Sequence, residues 1–187
     1  ALYGHLPIAA MGLIFRLVQF ALMPVIGISQ GLLPIIGYNL GAGKMDRIRD
    51  TLLKGITIGT IISTLFGLVY FIWPQLFLSI FSREQELLEL SGRALRIMVF
   101  MFPLLGSQIV CTSFFQAIGK GIPSMLLAFL REVMLFIPFL LILSHWSGLN
   151  GVWFARPLSD VFAFLVTIIL TLRELKRMGI PIIRQSS

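Results

Sequence analysis

The chain has 187 residues, of which 57% are hydrophobic and only 12% charged, and its mean hydropathy is +0.95. A soluble domain carries roughly a quarter charged residues, so the composition excludes an ordinary water-soluble protein and predicts an integral membrane one. The formal charge of +7 does not point to nucleic acid, because no basic patch is interleaved with aromatics and membrane insertion alone gathers Lys and Arg on one side.

Five apolar stretches, at about 6–38, 51–73, 91–117, 123–144 and 151–172, predict an all-α integral membrane bundle of five transmembrane helices. At 1.5 Å per residue the first runs roughly 45 to 50 Å, longer than the hydrocarbon core, so it must tilt or kink, with Pro24 the expected kink. A span built only for anchoring has no need of Gln30 or Asn39 at depth, or of Pro24 and Pro34 interrupting its hydrogen bonds. Such groups are tolerated where they face other helices or a water-filled cavity, which points to transport. On a helical wheel Arg16, Gln19, Met23, Gly27 and Gln30 fall within roughly 80° of one another. This stripe, with Asn39 beyond it, is the candidate cavity lining. The competing reading makes Gly27 and Gly31 a small-residue packing seam, has Gln30 bond a neighbouring helix and lets Arg16 snorkel. Gly41-Ala42-Gly43 lacks the Gly-Lys-Ser/Thr of a phosphate loop and reads as the turn that stops the helix.

Ahead of the third span, Ser82-Arg-Glu-Gln85 has capping-box spacing. Within it Gln108, Thr112 and Gln116 share a face, so Gln108 and Gln116 are candidate cavity-lining residues, with interhelical hydrogen bonding the equal alternative. Pro103 and Pro138 are positioned to bend their helices. Arg131 and Glu132 lie inside the fourth span, where an unpaired charge costs at least ~2.5 kcal/mol, so a partner across helices is expected. Arg156 and Asp160, four apart on the fifth span, have ion-pair spacing. These four residues are read as buried ion pairs or, for the acids, ion coupling.

Charge orients the bundle. Lys44, Arg47, Arg49, Lys54, Lys120, Arg173, Lys176, Arg177 and Arg184 fall on one side, expected to be cytoplasmic. The other side has Arg83, Arg93, Arg96 and Arg156 diluted by Glu84, Glu86 and Glu89, with Trp73, Trp146 and Trp153 expected at its interface. The N-terminus is then outside and the C-terminus inside, in an inner (plasma) membrane. Entry into a span from outside with no signal peptide predicts that a preceding span is missing and that the chain is a fragment. Cys111 is the only cysteine, which leaves no intrachain disulfide or thiolate metal site. His5 and His145 belong to no H-E-x-x-H or G-x-S-x-G arrangement, so no enzyme, metal or cofactor is expected.

The segment from Met23 to Arg47, with its order Pro24, Gly27, Gln30, Gly31, Pro34, Gly37, Asn39, Gly41-Ala42-Gly43, resembles the multidrug and toxic compound extrusion (MATE) transporters. Phe115-Gln-Ala-Ile-Gly119 and the stretch Gly148 to Asp160 are similar to that family's sequences further along. The resemblance covers essentially the whole chain. It implies a partial second lobe, the equivalents of spans eight to twelve of a twelve-span, two-lobed fold. The partners it implies are the bilayer, a small organic substrate (an organic cation in many members), H⁺ or Na⁺, and the missing first lobe, with no nucleic acid. Substrate would bind between the lobes and leave outward by alternating access driven by the ion gradient. The coupling acid of many members lies in the first lobe or on span seven with a partner on span ten. The third span here has no Asp or Glu between Ala94 and Gly119, so that acid is expected elsewhere. A lipid-linked oligosaccharide flippase of a related group is the alternative, kept open by Arg16 and Arg131. A non-transporting membrane scaffold is the third.

Overall fold

The structure, a computed structural model, describes residues 5–180. Every regular element among them is helical: α1 His5–Gly41, α2 Met45–Ile72, α3 Pro74–Leu78, α4 Gln85–Val99, α5 Phe102–Ala117, α6 Gly121–Phe129, a π-helical segment Leu130–Leu135, and α7 Phe136–Arg177. Several are long and apolar enough to cross a membrane. Helix α1 runs uninterrupted through Pro24 and Pro34. Helix α2 begins at Met45, six residues before the predicted start, because the chain turns directly out of α1.

The predicted third span is two helices, α4 and α5, bent by 57°. Pro103 stands in the first turn of α5, where its missing N–H removes no bond but where a continuing helix would have needed one. The Ser82 capping box does not form. Ser82 Oγ instead accepts a bond from the Glu84 N–H at 3.2 Å, and α4 starts without a side-chain cap.

Residues 121–177 form a hairpin. Glu132 and Arg156 would stand about 36 Å apart on a straight helix, yet their charged atoms lie 2.8 Å apart. The reversal is at Gly148, with φ 59° and ψ −136°, a conformation open almost only to glycine. Gly151, one turn on, lies against the Leu143 carbonyl and leaves no room for a β-carbon. The π-helical turn precedes Pro138, whose ring cannot sit against the Met134 carbonyl in an α-helix and lacks the N–H that carbonyl would accept from.

Two apolar cores mark the two ends of the bundle. One joins Ala10, Leu13, Leu17, Tyr70, Leu78, Leu95, Phe102 and Trp153. The other joins Ile36, Ile48, Leu52, Phe114, Leu127, Leu175 and Ile180. Trp153 is 3% exposed within the first core rather than at the interface its sequence position suggested. At the second end α1, α5 and α7 finish alike. Gly43, Gly119 and Gly179 have φ of 66°, 78° and 70°, and the next residue's N–H bonds back five residues: Lys44 to Asn39, Lys120 to Phe115, Ile180 to Leu175. These are Schellman caps, which satisfy carbonyls a helix end leaves without partners.

Candidate functional site

The buried face of α1 (Ala10, Ile14, Leu17, Ala21, Val25, Ile36) packs on the rest of the bundle. The opposite face, with Arg16, Gln19, Met23, Gly27 and Gln30, is exposed along its length. A β-carbon on Gly27 or Gly31 would meet nothing within 4 Å, so neither belongs to a packing seam among the described residues. The small-residue seam runs along α2 instead. Gly55, Gly59, Ser63 and Gly67 recur every four residues on its buried face, and Gly59 and Gly106 of α5 meet backbone to backbone. The spacing is legible in the sequence as a small-residue repeat. What hid it was the absence of proline and of amide or charged side chains in the middle of α2.

Two cavities open along α1 and share Phe15 and Gln19. The first, about 510 Å³, lies between α1, the α4–α5 pair and the hairpin, with apolar walls that include Val18, Leu22, Phe102 and Leu105. Its polar end is formed by Arg131, Glu132, Arg156 and Asp160. Arg131 Nε donates to Asp160 Oδ1 at 2.8 Å. Arg156 grips Glu132 with both terminal nitrogens, each at 2.8 Å. Arg131–Glu132 and Arg156–Asp160 close the quartet at 3.6 Å each, and the Arg156 guanidinium lies 5.4 Å from the centre of the Phe136 ring. Two cations thus balance two anions, with the Asp160 side chain 3% exposed and Glu132 51% exposed. The π-helical turn winds less per residue than an α-helix, which helps adjacent Arg131 and Glu132 reach one partner helix. Arg156, counted from sequence among the cations of the outer side, belongs to this interior cluster.

The second cavity, about 770 Å³, is almost wholly apolar. Arg16, Gln19 and Met23 line it together with Phe20, Tyr70, Phe77, Ile80 and Phe81. The aromatic wall was not anticipated, because α3 supplies part of it and its position follows from the fold rather than from any motif.

The remaining candidates line neither cavity. Gln30 is exposed on the open face beyond both. Asn39 is 6% exposed, its side-chain nitrogen donating to the Ile35 carbonyl at 2.8 Å. Gln108 is 2% exposed against the bundle, and the side-chain oxygens of Asn39 and Gln108 have no hydrogen-bond donor among the described residues. Gln116 is exposed. On the same α5 face the Thr112 carbonyl accepts a bond from Ser124 of α6 at 3.0 Å, an interhelical role. Among the described residues no group of His, Cys, Asp and Glu is arranged to hold a metal ion.

Comparison with known proteins places this arrangement. The MatE family model matches residues 1–142. The multidrug export protein MepA of Staphylococcus haemolyticus is 30% identical over 171 residues, covering 91% of this chain and 37% of that protein. MepA of Staphylococcus aureus is 29% identical over 169 residues, again covering 37% of its length. Among solved structures, the MATE multidrug transporter DinF-BH superposes with a TM-score of 0.82 at 34% identity, over 91% of this chain and 38% of that one. A mutant of the Vibrio cholerae MATE transporter VcmN gives 0.88 at 23% identity, over 95% of this chain and 40% of that one, a likeness of fold. The chain thus spans about 37% of the length of the curated relatives it matches. With the family model matching most of its residues, this chain belongs to the MatE family, the multidrug and toxic compound extrusion transporters.

Proposed function

We propose that this chain is part of the second lobe of a secondary transporter that exports small organic compounds, its helices standing for spans eight to twelve. An H⁺ or Na⁺ gradient drives export by alternating access, and the end bearing Lys44 and Arg177 faces the cytoplasm. The observation that carries this reading is the open face of α1. A stripe of Arg16, Gln19, Met23 and Gln30 stays uncovered by the other described helices while the opposite face is packed. Polar groups at membrane depth call for a water-lined or protein-lined surface, and a facing lobe supplies both. The aromatic and methionine wall beside the stripe suits flat apolar substrates of varied shape.

A flippase would need uncompensated cations facing its cavity. The balanced quartet compensates Arg131 and leaves Arg16 as the one cavity-lining cation without an ion pair among the described residues, which favours the exporter, and it argues for a structural role of Glu132 and Asp160 over ion coupling.

The test is retention of ethidium by an efflux-deficient bacterial host expressing the intact gene product, alongside Gln19→Leu and Gln30→Leu. Retention should rise at least several-fold in each variant at unchanged membrane abundance. Export at the parent rate by both would sink the cavity-lining reading and favour a scaffold. Everted vesicles in which the proton and sodium gradients are collapsed separately identify the coupling ion.

A further inference from the structure

We infer that the Schellman-capped end of the bundle is a binding surface for the headgroups of anionic phospholipids. The described residues place eight cations there: Lys44, Arg47, Arg49, Lys54, Lys120, Arg173, Lys176 and Arg177. They also place three carboxylates there, each in contact with one of two cations. Arg49, 5% exposed, lies 3.6 Å from Asp46 and 2.9 Å from Asp50, and Lys120 pairs with Glu174 at 2.5 Å. Lys44, Arg47, Lys54, Arg173, Lys176 and Arg177 are exposed and have no ion pair among the described residues.

Membrane insertion accounts for cations on one side, but it is nearly indifferent to Asp and Glu. It therefore leaves open why all three acids of this end lie against the two least exposed cations, Arg49 and Lys120. The outcome is a rim of six exposed cations without ion pairs of their own among the described residues.

The apolar core of Ile48, Leu52, Leu175 and Ile180 brings the start of α2 and the end of α7 together, so the rim draws on two chain segments far apart in sequence. Just below it, toward the hydrocarbon, exposed apolar side chains follow the cations along the same helices: Leu53 at 43%, Ile58 at 46%, Ile169 at 49% and Leu172 at 41%. Charge at headgroup depth with apolar surface beneath matches an anionic lipid at both of its ends, whereas a soluble phosphate would use only the cations. The inference needs only that these helices span a bilayer and is independent of transport.

The experiment is native mass spectrometry of the purified intact gene product in neutral detergent, titrated with phosphatidylglycerol or with phosphatidylcholine of the same acyl chains. Phosphatidylglycerol should bind at least tenfold more tightly. A variant carrying Lys44→Gln, Arg47→Gln, Lys176→Gln and Arg177→Gln should lose at least tenfold of that affinity and fall to the phosphatidylcholine level. Its phosphatidylcholine binding should be unchanged, which also reports that it is folded. Removing Arg83 and Arg93 at the opposite end should alter phosphatidylglycerol binding less than twofold. Equal binding of the two lipids, undiminished binding by the fourfold variant, or complete displacement by millimolar inorganic phosphate would each overturn the inference. If the fourfold variant does not fold, Lys176→Gln alone and a salt titration decide it, since binding through these cations must weaken with both.

Discussion

The α2–α5 pair and the hairpin of residues 121–177 solve one problem in opposite ways. Lipid tails are as apolar as leucine, so the hydrophobic effect gives two helices in a membrane little reason to associate. Helices α2 and α5 answer with small residues. Gly59 and Gly106 bring the two backbones into contact, and no side chain has to be ordered to gain the dispersion energy. The hairpin packs far less of itself, and only 6% of its most apolar window is buried. It is tied by charge, through Arg131, Glu132, Arg156 and Asp160. Close packing makes a wall that needs no ion pair to hold it. An ion-pair tie leaves room beside itself, and the first cavity lies in that room.

The strongest way to break this contrast is Arg131→Met. It leaves the Asp160 carboxylate, 3% exposed, with only the longer contact to Arg156, and removing one partner of a buried pair costs about 3–5 kcal/mol. Thermal unfolding in detergent should show the loss, and adding Asp160→Leu should return most of it. A single variant as stable as the parent would mean that water, not Arg131, compensates Asp160.

On the other side of the contrast, Gly106→Ala pushes a methyl group into the Gly59 carbonyl and the Ser63 hydroxyl, at about 1–3 kcal/mol. Its control is Gly27→Ala on α1, where the space is open and a change within about 0.5 kcal/mol is expected. Equal effects at the two glycines would contradict the assignment of the seam to α2.

Gly148→Ala tests the turn without touching the charges. Its positive φ should cost about 1–3 kcal/mol, and limited proteolysis should cut near residue 148 sooner. A smaller effect is expected from Glu132→Gln. The half-exposed carboxamide can still accept a hydrogen bond from Arg156, so stability should fall by about 1 kcal/mol or less and ethidium export should persist. Export lost at unchanged stability would identify Glu132 as a coupling group.

Legibility varied by residue and for physical reasons. The break at Gly41-Ala42-Gly43 could be read because a left-handed helix cap needs glycine locally. Arg131, Glu132, Arg156 and Asp160 stood out because charge at depth demands a partner, but which acid each arginine takes was open. The i,i+4 spacing suggested Arg156 with Asp160, whereas the short contacts are Arg131–Asp160 and Arg156–Glu132, across the hairpin. The bend between α4 and α5 left only Pro103 as a trace. The burial of Trp153 left none, since an aromatic near a helix end reads the same whether it meets headgroups or a core.

By itself the sequence determined the membrane class, the apolar stretches, the glycine turns and the family likeness, because these depend on composition and on neighbours along the chain. The tertiary structure alone decided which glycines form a seam, which charges pair, and that the α1 stripe stays open. Those outcomes depend on what stands opposite each side chain, and periodicity along one helix carries no information about its partner.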